Sequence, residues 1–419
     1  MHEITPELMN EIRGRFAHVE TCPFEGERVF FENAGGALTL NSVVETSALM
    51  AAIPDNQGRD NPASRALQEM IDRAKEDMRV FFGAPSADFF VGESGTELLF
   101  RLIRAACLGT PEGRVLGSTL EHPATRSAAD RWAREAGKPH VLVPHDDETG
   151  SVSAEAYSAH ITPDTVVATI LHTSPVTGMG VDVAAISQAI RAVAPECIII
   201  VDGIQHAAHG RLDIARYGID GYVVSPYKVF SRHGYGVAWM SDRLAALPHD
   251  HLLDAPGQPW ELGTRDTGAY ATFSDVAAYF DWLGSRFTES DDRRTRIMAA
   301  GEAIHVQEAK LTQAMLHGTG NLKGLAEIEG VTILGGVDNP LREGLVSFAL
   351  ENLPAPELVT ALRERGIRVH TRKADHYSGN VLTPLGMAHC VRVSMCHYNT
   401  EAEVAKFLAA MQEIAAGAS

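Results

Sequence analysis

Cysteine is scarce in this 419-residue chain. There are five, Cys22, Cys107, Cys197, Cys390 and Cys396, with an odd count and no CxxC spacing. That set gives no disulfide framework and suits a reducing compartment. No apolar run approaches the roughly 18 residues that a membrane span requires. Positive charge is short as well: 36 Lys and Arg stand against 54 Asp and Glu, a formal net charge of −18. Nucleic acid and anionic membrane are therefore not expected partners. Low-complexity tracts and internal repeats are lacking, and the opening Met1-His2-Glu3 does not begin a signal peptide. The expectation is a soluble, cytoplasmic protein without a metal site.

What is present is ordinary for an enzyme: 45% hydrophobic and 21% charged residues, on a chain long enough for one large and one small domain. From about residue 60 to 240, short apolar runs alternate with helical patterns. Arg114–Ser118, Val141–Val143, Thr165–Leu171, Ile198–Val201, Tyr222–Val224 and Gly236–Met240 are expected strands. Ala124–Ala136, Val183–Val193 and Leu212–Tyr217 are expected helices or helical turns. Near-continuous apolar strands separated by helices predict a largely parallel sheet covered on both faces. A further helix opens at Glu97, with Leu98, Leu99, Leu102, Ile103, Ala106 and Cys107 on one face. After about residue 275 come a long helical region, Asp275–Leu316, and strand–helix–strand material at Gly344–Leu350, Ala355–Arg365 and Ile367–Thr371. A strand at Val391–Met395 and a closing helix at Glu401–Ala415 follow. The expected division is a large domain over 20–275 and a smaller α+β domain from 1–19 and 276–419.

In open α/β sheets, ligands bind beyond the carboxyl ends of the strands. The residues that follow each run are Glu121 and His122; His172, Thr173, Ser174 and Pro175; Asp202, Gln205 and His206; and Ser225, Tyr227 and Lys228. Ser94-Gly95-Thr96 begins the strong apolar helix. Each has a plain explanation when taken alone: a helix cap, a turn aspartate, a hydrogen-bonded histidine, a solvated lysine. Together they have a chemical one. A helix N-terminus offers unpaired N–H groups to a phosphate, and Gly95 lets the backbone approach closely. A desolvated lysine between two buried strands has a lowered pKa and forms a Schiff base with a carbonyl. A carboxylate at a strand end holds a protonated ring nitrogen. These three parts describe a pyridoxal phosphate (PLP) site.

The order Ser-Gly-Thr-Glu (94–97), Glu-His (121–122), Val-Asp-Gly-x-Gln (201–205) and Ser-x-x-Lys (225–228) resembles the class V aminotransferase family of PLP enzymes. The nearest branch is the cysteine desulfurase and isopenicillin N epimerase-like one. The likeness runs from Phe31-Glu32-Asn33-Ala34-Gly35-Gly36 to Arg392-Val393-Ser394 and Tyr398-Asn399-Thr400. It implies fold type I, a mainly parallel seven-stranded sheet in the large domain with a smaller α+β domain. It implies that Lys228 anchors the cofactor and moves the α-proton, that Asp202 pairs with the ring nitrogen, that Gln205 bonds the ring hydroxyl, and that His122 stacks on the ring. Gly95, Thr96, Ser225 and Tyr227 would hold the phosphate, Tyr227 standing where many relatives have histidine. Arg392 would clamp the substrate carboxylate with its fork, and Asn33, Ala34 and Gly35 would line the substrate. The segment 260-WELGT-264 implies that Thr264 reaches a partner subunit's phosphate, hence a homodimer with shared sites.

The match departs from the family in two places. Desulfurases carry a nucleophilic cysteine on a loop before the final arginine strand, whereas 370-HTRKADHYSGNVLTPLG-386 has none. Cys390 and Cys396 flank Arg392 in or beside a strand and are expected to be buried. Persulfide chemistry is therefore not expected. Pro175 also stands where relatives often have asparagine. Transamination of a small amino acid is the leading expectation, followed by C–S or β-elimination without a persulfide, then epimerisation. A non-catalytic PLP-fold binding protein is the outcome from a different class. Arg232, His233, Arg372, Lys373 and His376 lie on loops that would rim the site, and a cation among them facing the substrate side chain would suit an acidic amino acid.

Overall fold

Every residue of the run Ile198–Asp202 is buried, because the strand is covered on both faces: Ile198 and Ile200 enter one apolar cluster, Ile199 and Val201 another. That is why the run is continuously apolar and does not alternate with polar residues. The computed structural model describes residues 3–86 and 88–418. Its central sheet has seven strands: β1 (Phe89–Gly92), β2 (Arg114–Ser118), β3 (His140–Val143), β4 (Thr165–Leu171), β5 (Ile198–Asp202), β6 (Gly221–Val224) and β7 (Gly236–Met240). Their spatial order is β1-β7-β6-β5-β4-β2-β3. Only β7 runs antiparallel to its neighbours. This is the mainly parallel seven-stranded α/β sheet of fold type I. The strand missing from the expectation is β1.

Helix α1 (Gly95–Gly109) begins two residues before the expected Glu97, because the Ser94 hydroxyl caps it by accepting from Glu97 N. Helix α2 (Pro123–Glu135) starts with His122 as its cap. The expected helical region Asp275–Leu316 is two helices, α3 (Thr267–Gly284) and α4 (Arg293–His317). They cross so closely that a Cβ on Gly284 would lie 1.8 Å from the Arg296 carbonyl oxygen. Asp292 restarts the second helix by accepting from Thr295 N at 2.8 Å.

A second sheet, antiparallel throughout, has the order β8-β9-β11-β10, from β8 (Val331–Ile333), β9 (Leu345–Leu350), β10 (His370–Lys373) and β11 (His389–Ser394). It packs on its own apolar cluster, with Phe31, Phe348, Leu362, Val393 and Phe407 buried together. The N-terminal segment joins it: Val29–Phe30 pairs with Ile367–Arg368, and Glu32 bridges Ser394. Residues 33–35 are thereby carried to the side of Arg392. No helix among the described residues is long and apolar enough to cross a membrane.

Candidate active site

Parallel strands β4, β5 and β6 end together, so their carboxyl-end residues converge. The Asp202 carboxylate accepts from Thr125 Oγ1 at 3.2 Å and from Ile204 N at 3.1 Å. Burial raises its pKa, while Ile204 N–H, the Lys228 charge and Thr125 oppose that rise. Lys228 closes a short turn (Pro226–Lys228), and its Nζ donates one hydrogen bond, to Gln205 Oε1 at 3.2 Å. Burial and the Arg392 charge bring its pKa down to about 7, against the pull of Asp202. His122 accepts from Ala124 N through Nδ1 at 3.2 Å. Burial, then the charges of Lys228, Arg372 and Arg126, hold its pKa near 3, so the ring is neutral.

The start of α1 meets the end of β6. A Cβ on Gly95 would lie 2.5 Å from Ser225 Oγ and 2.6 Å from Ile204 Cδ1, and a Cβ on Gly236 would lie 2.6 Å from Gly95 N. The two glycines thus let the first turn of α1 pack directly against the ends of β6 and β7, bringing its N–H groups beside the Ser225 hydroxyl and the exposed Thr96. Tyr227 stacks on His233 with ring centroids 4.3 Å apart, and Gly36 lets that stack approach.

Arg392 is 3% exposed. Its Nη1 donates to the Pro175 carbonyl at 3.0 Å, and its buried Nε has no acceptor among the described residues. Pro175, a departure from the family pattern, thus supports Arg392 through its backbone. Asn33 Nδ2 donates to the Ser394 carbonyl at 2.8 Å and Ala34 N to Ser394 Oγ at 2.8 Å, while the Arg392 guanidinium lies beside Gly35. Of the rim cations, Arg232 is taken by an ion pair with Asp266, and Lys373 and His376 are exposed. Thr264 sits apart on an exposed loop, lining a depression of about 250 Å³ with Met50, Asn56 and Arg265. A groove of about 1020 Å³ lies elsewhere, between residues 144–156 and 335–341, and contains none of the strand-end candidates.

Three members of the cluster, His209, Glu308 and Glu343, are not among the sequence candidates. Gln205 Nε2 lies 3.0 Å from His209 Nε2, and His209 Nδ1 lies 2.8 Å from Glu308 Oε2. With the Nδ1 proton given to Glu308, Nε2 accepts from the Gln205 amide, which turns Oε1 toward Lys228. Cys396 joins these two within 4.8 Å. The imidazoles of His172 and His206 stack at 3.5 Å, and His206 Nδ1 meets Glu343 Oε1 at 2.6 Å. His172 and His206 are strand-end residues, whereas no pattern near them in the chain announces Glu308, 99 positions from His209, or Glu343, 137 positions from His206.

Glu121 is fully buried. Its Oε1 accepts from Thr169 Oγ1 at 2.7 Å and from Ser118 N at 3.3 Å, and its Oε2 has no partner. Burial, and then the Asp202 charge, push its pKa to about 8 against those two donors. Because this lies above the ordinary 4.5, the folded chain holds one more proton than the unfolded chain between these values. The stability this proton gives is fully present below the unfolded pKa and is lost as pH rises through about 8. Glu121→Gln keeps the acceptor but has no proton to lose. The decline in melting temperature between about pH 5 and 8 is expected to be shallower in that variant. Equal slopes would contradict the assignment.

A lysine with a lowered pKa, a buried carboxylate one strand away and a helix N-terminus packed through Gly95 against Ser225 define a PLP-dependent enzyme of fold type I. The "Aminotransferase class-V" family model matches residues 29–407. The chain belongs to the class V aminotransferase family. It is 26% identical over 404 residues to the nonribosomal peptide synthetase-like enzyme fsqF of Aspergillus fumigatus, which covers 92% of this chain but only 25% of that protein. A probable cysteine desulfurase of Vibrio cholerae is 26% identical over 361 residues, 81% of each chain. The structure of a cysteine desulfurase from Thermococcus onnurineus superposes with a TM-score of 0.80 at 21% identity, covering 97% of this chain and 98% of that one. It shares the fold.

The residues present fit the cofactor. The first-turn N–H groups at Gly95 and Thr96 and the Ser225 hydroxyl lie together and suit its phosphate, buried Asp202 suits its ring nitrogen, and the Lys228 amine has no ion pair among the described residues.

Proposed function

We propose that the chain transfers the amino group of a small amino acid, with Lys228 as the covalent anchor of PLP and the base at the α-carbon. The observation that carries this reading is the state of Lys228: among the described residues it makes one hydrogen bond and pairs with no carboxylate, and its pKa of about 7 leaves much of it as free amine at neutral pH. Bound PLP supplies an electron sink for the bonds at the α-carbon. Asp202 would hold the proton on the ring nitrogen, and Gln205, steadied by His209 and Glu308, would face the ring oxygen. Neutral His122 would stack on the ring. Arg392 would bind the α-carboxylate, with Asn33, Ala34 and Gly35 walling that end of the site. Gly95, Thr96, Ser225 and Tyr227 would hold the phosphate, completed by Thr264 from a second copy of the chain in a homodimer.

Gly95→Ala tests the phosphate end. Its methyl group would displace Ser225, so PLP affinity is expected to fall by about 10-fold or more, the worth of one charge-assisted hydrogen bond. Equilibrium dialysis of the apoprotein reads this, and unchanged affinity would contradict the placement.

The names of the relatives favour a second reading, cysteine desulfuration. Burial lifts the thiols of Cys107 and Cys197 to about 12 and that of Cys390 to about 11, and Cys396 is buried too. Cys22 is the one half-exposed thiol, its pKa lowered by the backbone N–H groups of Phe24 and Glu25. The two readings part when the holoprotein is mixed with single amino acids, cysteine and aspartate included, without a keto acid. Stoichiometric bleaching of the visible band with one keto acid per site means transamination. Alanine formed from cysteine over many turnovers, its sulfane sulfur released as sulfide by an added thiol reductant that is itself oxidised to the disulfide, means desulfuration.

A further inference from the structure

Arg372 has no part in the reading above. We propose that it pairs with Arg392 to form a two-anion site, so that the substrate is an amino acid whose side chain carries its own anion, a dicarboxylic amino acid being the simplest case. The inference rests on the placing of the substrate α-carboxylate at Arg392.

The ladder fixes the geometry. On the antiparallel strands β10 and β11, His370 lies opposite Arg392 and Arg372 opposite Cys390. Arg372 and Arg392 are therefore diagonal neighbours on one face of the sheet, with backbones about 7–8 Å apart. Neither guanidinium is used up by the protein. Arg392 is 3% exposed with a single hydrogen bond, to Pro175. Arg372 is anchored along one edge: Nε donates to Ser378 Oγ at 2.7 Å and Nη2 to the Tyr377 carbonyl at 3.3 Å. Its Nη1 has no acceptor among the described residues.

The anchoring loop lies over the cofactor side of the site. The Tyr377 ring is 6.3 Å from the His122 ring, and Arg126 Nη2 holds the His376 carbonyl at 3.2 Å. Nearby carboxylates are already engaged. Glu32 accepts from Arg368 Nε at 2.8 Å and meets His370 at 3.2 Å, and exposed Asp375 caps Tyr377 N at 2.8 Å. The charge of Arg372 is felt at Lys228, His122 and Arg392, each of which it makes harder to protonate. Two like charges side by side, Arg392 buried and Arg372 half-buried, are unfavourable until anions meet them, and a ligand with two anionic ends meets both. A single carboxylate leaves one guanidinium unanswered.

Calorimetric titration of the holoenzyme with succinate and with butyrate, at fixed ionic strength, tests this. Succinate is expected to bind at least about 10-fold more tightly than butyrate. In Arg372→Gln that preference should collapse to within about twofold, with butyrate affinity little changed; Arg372→Lys should keep part of it, since charge remains and the fork is lost. Equal binding of the two ligands by the unaltered protein overturns the proposal without any variant. So does a preference that survives in Arg372→Gln, or a parallel loss of both affinities, which would make Arg372 only a strut for the 374–378 loop. If neither ligand binds, the placing of the carboxylate at Arg392 fails, and the two-anion site fails with it.

Discussion

Lys228→Met is expected to lower turnover by about 10²–10⁴-fold, the range for loss of a positioned acid–base group, while the apoprotein melts no lower at pH 7. Methionine matches the length of the side chain without its amine. The lysine makes one hydrogen bond, to Gln205, so little is lost from the fold. Its folded pKa of about 7 lies below the ordinary 10.5. Between these values the unfolded chain binds one more proton, so the folded state gains stability as pH rises through that window. At and below about pH 7 the full cost of the buried amine is present. Lys228→Met should therefore be the more stable protein at neutral pH, with the advantage shrinking toward pH 10. Turnover near the parent value would remove Lys228 from the chemistry. A collapse in melting temperature at pH 7 would mean that the lysine supports the fold.

Arg392→Met should separate binding from stability even more sharply. A buried guanidinium with five N–H groups and one protein acceptor is an anion site waiting for its ligand. Losing a charge-assisted fork to a carboxylate is expected to raise KM by about 10–100-fold. Burial, and then the neighbouring Arg372, already lower the pKa of Arg392 to about 9, which marks its charge as unfavourable in the empty fold. Replacing it with an apolar side chain should leave the melting temperature unchanged or higher. An unchanged KM would contradict the role. A marked fall in melting temperature would mean that the bond to Pro175 and the nearby Glu32 outweigh the desolvation.

Much of the fold was legible because strands buried on both faces are written as unbroken apolar runs, as in Thr165–Leu171 and Ile198–Val201. Phe89–Gly92 escaped because its apolar run passes in two residues into the Ser94 cap of the next helix. The break at 285–292 escaped because helical spacing continues on both sides of it. The candidate cluster around Lys228 was legible through one rule, that ligands gather at strand ends. Its supports were not. Glu308 reaches His209 across 99 positions, and Thr125 reaches Asp202 across 77. Arg232 shows the converse: on sequence alone it was a rim cation, and an aspartate 34 residues later takes its charge.

The most direct test of the account is chemical. The yellow holoprotein is reduced with borohydride, digested, and mapped by mass spectrometry. The account predicts a single pyridoxyl-modified peptide, the one containing Lys228. A label on another lysine, or a protein that takes up no PLP to be reduced, would contradict it.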